Sequence, residues 1–306
     1  MNISLCIATY RRAERLSALL DDLVKQQRPP NEVVIVDNDA TGSARAVVEQ
    51  RRALGAPFPI HYDIQPLKNI SLTRNRTVAM ASGEWLAFID DDERAPPAWL
   101  EQLAATATRY MADGVLGPVE PIVPTDAPAW IQRGRFYDWA RMKTGSVIPI
   151  NKLRFGNVLL HGALLRVTPT PFNPEYGLTG GEDGDLLGRL MLQGARIIWC
   201  DEAVVHEPVE AARLSLRWLL LRAMRGGQDF ARHKMTGSFG GLTSFGRVRF
   251  FLRALLQAVT AAGLALLSWP RGQHHAVFWL LKASANIGKM SIFLGWHYHE
   301  YGGKVT

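Results

Sequence analysis

Four acidic residues follow an apolar segment of this 306-residue chain without a break. Residues 85–89 are apolar, and Asp90, Asp91, Asp92 and Glu93 come directly after them. Closely spaced carboxylates repel one another, and burial strengthens the repulsion, so the arrangement is favourable when a cation lies among them. If strand alternation continued, Asp90 and Asp92 would face one side and could share an ion, while Asp91 would face the other. Such oxygen ligands suit Mg²⁺ or Mn²⁺. The alternative is that the cluster is a charged loop whose negative charge only stabilises the N-terminus of the following helix.

Polar residues also follow a second apolar segment, residues 33–36, where Asp37, Asn38 and Asp39 stand in succession. Arg74 lies on a predicted helix that leads into the strand with the acidic cluster. A guanidinium group close to a metal is what a bound diphosphate needs. The two sets together favour a site for a metal-bound diphosphate.

A third acidic group opens a later helix. Residues 178–194 read as a Gly-rich loop that enters an amphipathic helix, and Glu182, Asp183 and Asp185 stand at its start. A carboxylate placed there after a flexible loop could serve as a general base. The alternative is that these charges only complement the helix dipole.

These residues need a scaffold, and hydrophobic periodicity predicts one. Short β-forming runs alternate with helical patterns, which is typical of βαβ units and a mostly parallel sheet. In such sheets ligands bind outside the carboxyl ends of the strands, where the first two acidic sets stand. Strands are predicted at residues 2–8, 31–39, 59–64, 84–90, 113–123, 157–167 and 195–207 (two strands and a turn), and helices at residues 11–27, 43–54, 71–81, 96–112 and 178–194.

The charge of the chain is unevenly distributed. Residues 1–206 hold 22 Lys and Arg against 24 Asp and Glu, a net charge of −2, whereas residues 207–306 hold 13 against 4, a net charge of +9. The basic part is also rich in unbroken apolar runs with Trp at their ends, as in a segment that lies on an anionic membrane face. Residues 254–269 are uncharged but shorter than the roughly 20 residues of a spanning helix, so helices at the interface are favoured. The alternative is that these helices pack against the catalytic part as core or form a homo-oligomer interface. The apolar runs argue against nucleic-acid binding.

The two cysteines, Cys6 and Cys200, both lie in apolar runs, without a metal-type or redox-type spacing. This predicts buried thiols in a reducing compartment. The chain begins on a strand pattern without a signal-like leader, so we expect the catalytic part in the cytoplasm.

The order of the motifs resembles that of family 2 glycosyltransferases, which have the GT-A nucleotide-diphospho-sugar fold. The motifs are ATYRR, VVIVDND, SLTRNR, ASGEWLAFIDDDE, GGEDGDLLGRL and VVHE, within residues 2–234. The most similar subgroup is the bacterial exopolysaccharide enzymes of the succinoglycan glucosyltransferase type. The resemblance implies an α/β fold with a Rossmann-like mixed sheet flanked by helices. It also implies a catalytic domain at residues 1–210, with a donor part at 1–120 and an acceptor part at 121–210, before a helical membrane-association region at 211–306.

The same resemblance implies roles for individual residues. Asp183 would be the catalytic base, and the metal ligands would be Asp90, Asp92 and His206. A lone histidine at a strand end is otherwise an ordinary polar residue. The residues implied to bind the nucleotide sugar are Ala8, Thr9, Tyr10, Asp37, Asn38, Asp39, Arg74, Asp90, Asp91 and Glu182.

The sequence departs from the processive members of this family. Their Q-x-x-R-W motif has Leu214 at the Gln position here, although Arg217 and Trp218 are retained. This favours the transfer of a single sugar. Arg222 and Arg225 recur on the same broad helix face and could meet an acceptor diphosphate together with Arg217 and Trp218; a solvated basic face is the alternative.

The resulting hypothesis is an inverting enzyme that depends on Mg²⁺ or Mn²⁺. It would move one hexose, expected to be glucose, from a UDP-sugar to a polyprenyl-diphosphate-linked oligosaccharide at the cytoplasmic face of the bacterial inner membrane. A nucleotidyltransferase is one rival, but ATYRR stands where its Gly-rich, Lys-containing loop would follow the first strand. A membrane-attached, non-catalytic protein that binds sugar nucleotides is another.

Overall fold

The computed structural model describes residues 1–299, which form two compact units. The first unit comprises Met1–Glu120 and Trp139–Glu207, and the second comprises Pro121–Asp138 and Pro208–His299. The structure therefore groups residues 121–138 with the C-terminal helices, whereas the sequence analysis assigned them to the acceptor part at 121–210. Residues 300–306 of the predicted region 211–306 lie outside the described residues.

The elements follow one another in an α/β order over the first two thirds of the described chain. The strands are β1 Ile3–Thr9, β2 Glu32–Asp37, β3 Ile60–Ile64, β4 Trp85–Phe88, β5 Gly114–Leu116, β6 Val119–Ile122, β7 Val158–His161, β8 Ile197–Trp199 and β9 Val205–Pro208. The helices are α1 Ala13–Val24, α2 Arg45–Leu54, α3 Ile70–Met80, α4 Trp99–Tyr110, α5 Ala129–Gly134, α6 Gly162–Leu165, α7 Glu182–Leu192, α8 Leu216–Thr236, α9 Ser244–Ser268 and α10 Gln273–Ser291.

Within residues 1–299, seven strands form one mixed sheet in the order β3-β2-β1-β4-β7-β5-β8. Strand β1 pairs in parallel with β2 and β4, while β7 runs antiparallel to both β4 and β5. The predicted Rossmann-like mixed sheet flanked by helices is therefore confirmed.

The sheet is covered by apolar side chains on its flanking helices. All six residues of β2 are buried, as expected for a strand with both faces covered. Helix α1 buries its leucines on one face, each with no exposed surface and each contributing about 1.5–3 kcal/mol. They lie at the i, i+3, i+4 and i+7 spacing of an amphipathic helix and are Leu16, Leu19, Leu20 and Leu23.

Three predicted elements differ from the structure. Helix α3 begins at Ile70, one residue before the predicted start, because the Asn69 side chain caps it by accepting from the backbone N–H of Leu72 at 2.9 Å. The predicted strand at 113–123 is split at Gly117 and Pro118 into β5 and β6, which belong to different sheets, and Pro118 has no N–H to donate to a ladder. The predicted strand at 157–167 ends at His161 and continues as the short helix α6.

The parallel register brings the polar ends of β1 and β2 to one edge of the sheet. Thr9 at the end of β1 lies opposite Asp37 at the end of β2. Strand β4 pairs with the other side of β1 and ends at Phe88, just before the acidic cluster. Both acidic sets therefore stand at the carboxyl ends of strands at this edge, as predicted.

The second unit is built around three long helices. Helix α10 packs against both α8 and α9. At two positions α8 and α10 approach so closely that a side chain would overlap the backbone of the facing helix: Gly227 against Ala285, and Gly288 against Met224. Helix α9 turns small residues inward, namely Ala254, Ala258, Ala261, Ala265 and Ser268.

Large apolar side chains cover the outer surface of α9. Exposed fractions of its residues reach 68% at Leu256 and 79% at Leu266. Among the described residues, Ser244–Arg271 is the one helical segment long and apolar enough to cross a membrane, judged by length and composition alone.

The close helix contact makes a testable prediction about stability. Gly227→Ala should lower the free energy of unfolding by about 1–3 kcal/mol, because the new methyl group would overlap the Ala285 carbonyl. The neighbouring Gly226 is exposed with nothing within 4 Å, so Gly226→Ala should raise the same free energy by about 0.5–1 kcal/mol. Chemical denaturation followed by circular dichroism measures both. Equal stability of the two variants would contradict the close packing of α8 on α10.

Candidate active site

The acidic cluster occupies a turn rather than a continued strand. Strand β4 ends at Phe88, and the backbone N–H of Glu93 donates to the carbonyl of Asp90 at 3.1 Å. The prediction that Asp91 faces away from Asp92 is wrong, because the turn interrupts the alternation. One guanidinium nitrogen, Nη1 of Arg12, lies 3.0 Å from carboxylate oxygens of both aspartates.

Arg12 is a site residue that the sequence analysis missed. It stands directly after β1 and extends toward the turn after β4, so that it bridges Asp91 and Asp92. Arg15 adds a longer contact to Asp92 at 3.4 Å, and the Thr9 hydroxyl donates to Asp91 at 2.8 Å. Burial nevertheless raises the pKa of Asp91 to about 6, with Arg12 opposing and Asp92 adding to the shift. The signal in the sequence was the basic pair in ATYRR, next to the first strand end.

Arg74 connects the acidic turn to α7. Its guanidinium donates to Glu182 at 2.7 Å and to Asp90 at 3.1 Å, and its own side chain is only 10% exposed. Its Cζ atom lies 4.6 Å from the centre of the Phe155 ring, which covers the guanidinium face. The predicted closeness of Arg74 to the acidic cluster is thus observed.

The two carboxylates on Arg74 differ in exposure. Glu182 is buried, and burial raises its pKa to about 7 although Arg74 opposes the shift. Asp90 keeps 46% of its side chain exposed, and its pKa is also raised, first by the surrounding protein and then by nearby carboxylates. The ion pair with Arg74 therefore does not fully offset the effects of burial and of the neighbouring carboxylates on these two pKa values.

Asp183 lies next to these groups in the first turn of α7. The loop before it needs two successive glycines, since Gly180 and Gly181 adopt φ values of 80° and 94°. Asp183 is half-buried, its Oδ1 accepts from the backbone N–H of Gly184 at 2.7 Å, and among the described residues it has no ion-pair partner. Asp185, in contrast, is buried and pairs with Arg189 at 2.9 Å, which is a role within the helix.

The structure brings Asp183 close to both carboxylates bound by Arg74. Its charge contributes to the raised pKa of Asp90 and of Glu182. A half-exposed carboxylate without an ion-pair partner beside a guanidinium and an acidic turn has the chemistry of a proton acceptor.

Strand β2 ends in the residues predicted to hold the nucleoside. Asp37 is fully buried and accepts from the backbone N–H groups of Asp39 and Ala44 at 2.9 and 2.8 Å. The Tyr62 hydroxyl also donates to it at 3.1 Å. These bonds fix the β2–α2 loop at the sheet edge.

The next two residues secure the neighbouring loops. The Asn38 side chain donates to the carbonyls of Gln65 and Leu67 and accepts from the backbone of Asn69, so it fixes the segment before α3. Asp39 pairs with Arg11 at 2.9 Å. The loop containing Arg11 is strained there, because Arg11 has a φ of 54°.

Tyr10 follows β1 on the same side. Its ring lies 4.6 Å from the Lys68 ammonium and 5.2 Å from the guanidinium carbon of Arg11. Tyr10 and Ala8 are half-buried, while Thr9 is buried. Lys68 is a second basic residue at this edge that the sequence analysis missed.

A second group missed by the sequence analysis lies on the other side of the acidic turn. Glu93 is buried, and burial with neighbouring carboxylates raises its pKa well above the usual range. Arg154 lies 3.5 Å from Glu207, and its Cζ atom lies 4.3 Å from the Trp139 ring centre. Its Nη1 atom is buried without a hydrogen-bond partner among the described residues. Nothing local in the sequence indicated these contacts, because they join segments far apart in the chain.

Gly156 allows the loop of Arg154 to lie directly against the acidic turn. It has a φ of 105°, and a Cβ atom there would lie 2.7 Å from Oε1 of Glu93 and 3.2 Å from Oδ2 of Asp90. Only glycine fits this position.

His206 is near the acidic turn through its backbone. It exchanges two backbone hydrogen bonds with Arg94, at 2.8 and 3.0 Å, and its Nδ1 lies 3.8 Å from Glu120. Within residues 1–299 no group of three or more His, Cys, Asp or Glu side chains is assembled as a metal site. The predicted set of Asp90, Asp92 and His206 is therefore not gathered around one point here, since Arg74 contacts Asp90 and Arg12 contacts Asp92.

The chemistry of the donor set nevertheless fits a divalent ion. Burial first, and neighbouring carboxylates after it, raise the pKa values of Asp90, Asp91 and Glu93, and a bound cation would favour their charged forms. Hard carboxylate oxygens are the ligands that Mg²⁺ and Mn²⁺ prefer. The buried, unpaired Nη1 of Arg154 also calls for an oxygen acceptor, which a bound substrate can provide.

The residues predicted to meet an acceptor diphosphate belong to the second unit. Trp218 stacks on Tyr137 with ring centres 5.9 Å apart, and the Arg222 guanidinium lies 5.2 Å from the Trp218 ring. Arg217 is exposed and Arg225 is half-buried. Trp218 and Arg222 therefore form a cation–aromatic cluster within that unit.

The mixed sheet and the acidic turn after β4 together define a GT-A nucleotide-sugar transferase. Residues 4–163 match the family described as Glycosyl transferase family 2. The chain belongs to this family and is a glycosyltransferase, which confirms the resemblance seen in the sequence.

Known proteins support the assignment at two levels. The chain is 37% identical to the succinoglycan biosynthesis protein ExoM of Rhizobium meliloti over 76% of this chain and 75% of that protein. The fold is similar to S. aureus TarS 1-349 in complex with UDP, with a TM-score of 0.55, 21% identity and coverage of 98% of this chain and 93% of that one. It is also similar to the mannosyltransferase PcManGT from Pyrobaculum calidifontis in complex with GDP-Man and Mn²⁺, with a TM-score of 0.58, 14% identity and coverage of 98% and 77%.

Proposed function

We propose that the protein transfers one hexose, with glucose as the expected sugar, from a UDP-sugar to a polyprenyl-diphosphate-linked oligosaccharide in exopolysaccharide synthesis. The observation that carries the proposal is the meeting of Asp183, the Arg74 ion pairs and the acidic turn at one edge of the sheet. The relative ExoM, named for succinoglycan biosynthesis, supports the polysaccharide. TarS, solved with UDP and with UDP-GlcNAc, supports a uridine nucleotide.

The acidic turn would hold the metal and the diphosphate. Asp90 and Asp92 are the proposed ligands of Mg²⁺ or Mn²⁺, with His206 as a further ligand. When bound, the ion would stabilise the negative charge of the departing nucleoside diphosphate. Arg74 would bind the diphosphate, since its guanidinium is already oriented by Glu182 and by the Phe155 ring.

The ends of β1 and β2 would hold the nucleoside. Tyr10 offers an aromatic face, and Asp37 is held rigidly in the β2–α2 loop. Asp91, which receives the Thr9 hydroxyl, lies beside this edge. The full proposed set for the nucleotide sugar is Ala8, Thr9, Tyr10, Asp37, Asn38, Asp39, Arg74, Asp90, Asp91 and Glu182.

Asp183 is the proposed base. Its carboxylate would take the proton from the acceptor hydroxyl as that oxygen attacks the anomeric carbon. The bond from the anomeric carbon to the diphosphate breaks on the opposite side, so the configuration is inverted. A single base is sufficient for this reaction, since no covalent intermediate on the enzyme is needed.

The second unit would bring the enzyme to its lipid-linked acceptor. Its helices carry the excess positive charge, and the outer surface of α9 is apolar. An amphipathic, basic helix of this kind associates with an anionic membrane surface. We propose the cytoplasmic face of the inner membrane as its location, residues 1–210 as the catalytic part and residues 211–306 as the membrane part. Arg217, Trp218, Arg222 and Arg225 would then be candidates for binding the acceptor diphosphate.

The donor is tested by thermal unfolding with a panel of UDP-, GDP- and dTDP-sugars. A UDP-sugar with Mn²⁺ at about 100 times its dissociation constant should raise the melting temperature by about 5 to 10 °C, because it binds only the folded state. The shift should shrink when Mn²⁺ is removed with a chelator. If no nucleotide sugar changes the melting temperature, with or without Mn²⁺, the proposed activity is wrong.

A further inference from the structure

Three cationic side chains lie on neighbouring parts of α9 and α10 in the second unit. Arg253 lies on α9, while Lys282 and Lys289 lie on α10. Lys282 and Lys289 lie about two turns apart on one face of α10. The Phe250 ring, one turn before Arg253 on α9, lies 6.2 Å from the Phe293 ring, one turn after Lys289, so Arg253 is near Lys289. Arg253 and Lys282 are exposed and Lys289 is half-buried, so solvent offsets part of their mutual repulsion and a bound anion would offset more of it.

Lys289 is the central member of this cationic cluster. It is half-buried, and its Nζ donates to the Asn286 side chain at 2.9 Å and lies 5.6 Å from the Phe230 ring centre. Burial, then the charges of Arg253 and Lys282, lower its pKa. Among residues 1–299 no carboxylate pairs with Lys289, and Asp229 is the only acidic residue between positions 211 and 299.

The surroundings of the cluster are apolar. Leu252 and Leu256, which flank Arg253, are 57% and 68% exposed. On α10 the Lys282 ammonium lies 5.4 Å from the ring of Phe278, itself 45% exposed. Cationic groups bordering exposed apolar side chains are typical of the depth at which lipid headgroups meet acyl chains.

We propose that Arg253, Lys282 and Lys289 bind the phosphate of an anionic membrane lipid, while the exposed apolar side chains of α9 and α10 contact its acyl chains. The inference rests on the membrane association proposed above and deepens it by naming the binding residues. An anionic phosphate would offset the mutual repulsion of three cations and accept hydrogen bonds from Lys289 and Arg253. Diffuse electrostatic attraction would not need this site. In that case the exposed cations on other sides of α9 would contribute to membrane binding as much as these three do.

Binding to vesicles tests the site on the full chain. The probes are phosphatidylcholine vesicles with and without phosphatidylglycerol, with affinity measured by sedimentation. Lys289→Gln should weaken binding to the anionic vesicles at least about tenfold, well above the roughly fivefold effect of removing one superficial cation. Lys289→Arg, which keeps the charge, should retain binding.

Arg247→Gln is the matched control. Arg247 is exposed on α9, the helix that carries Arg253, and the 3.6-residue period places the two arginines on different sides of that helix. Equal losses for Arg247→Gln and Lys289→Gln would overturn the site and leave only diffuse attraction. Soluble dihexanoyl phosphatidylglycerol should compete with the vesicles in the wild-type protein. Inorganic phosphate competing at equal concentration would overturn the lipid as ligand.

The controls also separate this site from the proposals on which it rests. If the wild-type chain ignores anionic vesicles altogether, the membrane association itself is wrong. The melting-temperature shift with a UDP-sugar should be the same in Lys289→Gln as in the wild type, so the donor assignment is read independently. Circular dichroism checks that the helices of each variant remain folded.

Discussion

Asp183→Asn is expected to lower the turnover number about 10²- to 10⁴-fold while the affinity for the donor stays unchanged. Asparagine has the same shape but cannot accept a proton. The fold should tolerate the change, because Asp183 is half-exposed and has no ion-pair partner among residues 1–299. Turnover is measured as UDP release from the UDP-sugar that raises the melting temperature, with a lipid extract of an exopolysaccharide-producing bacterium as the acceptor. Donor affinity is measured by titration.

Glu182→Gln is the informative comparison. Glu182 is buried against Arg74, so its loss should weaken donor binding by leaving that guanidinium with fewer oriented contacts. The two variants are thus expected to differ, one in turnover and the other in donor affinity. The opposite pattern, with near-normal turnover in Asp183→Asn and intact donor binding but no turnover in Glu182→Gln, would identify Glu182 as the base.

Local patterns in the sequence were sufficient for the scaffold. Period-2 and period-3.6 apolar spacing predicted β1, α1 and β2 within two or three residues, because each element buries its own repeating face. The positions of Asp37 and Asp90 at one edge followed from the rule that parallel strands end together. The apolar spacing depends only on residues that are neighbours in the chain, and the shared edge depends only on the parallel order of the strands.

The contacts inside the site depend on residues that are distant in the chain, so they could not be predicted. The bridge from Arg12 to Asp92 spans 80 positions, and the bond from Arg74 to Glu182 spans 108. The turn at Asp90 also ends the strand alternation on which the predicted facing of Asp90, Asp91 and Asp92 depended. Arg154 is the clearest case, since its buried, unpaired Nη1 becomes visible only after the loop at Gly156 packs against Glu93.

Arg12 gives the acidic turn a property that motif matching would overlook. It contacts Asp91 and Asp92 with one nitrogen, where a cation is needed to offset the crowded carboxylates. Arg12 remains 37% exposed while both aspartates are nearly buried, so the arginine can move away more easily than they can. The fold of the turn is therefore compatible with a protein cation as well as with a divalent ion.

Asp92→Asn is expected to abolish the metal-dependent part of donor binding. The amide keeps the shape of the side chain but removes the negative charge that a divalent ion requires. The melting-temperature shift caused by a UDP-sugar should then be the same with and without Mn²⁺. The free protein should remain folded, because Arg12 still pairs with Asp91 at 3.0 Å and the charge repulsion at the turn is reduced.

A surface carboxylate supplies the control for charge removal alone. Glu101 pairs with Arg28 and is 46% exposed, so Glu101→Gln should change the free energy of unfolding by no more than about 1 kcal/mol and leave the Mn²⁺ effect intact. Isothermal titration calorimetry of UDP with Mn²⁺ into each variant gives the same comparison without thermal unfolding. If Asp92→Asn binds UDP with an undiminished dependence on Mn²⁺, the ion is held elsewhere. The excess charge at the turn would then be offset by Arg12 and Arg15 alone, and the assignment of Asp92 as a ligand would be wrong.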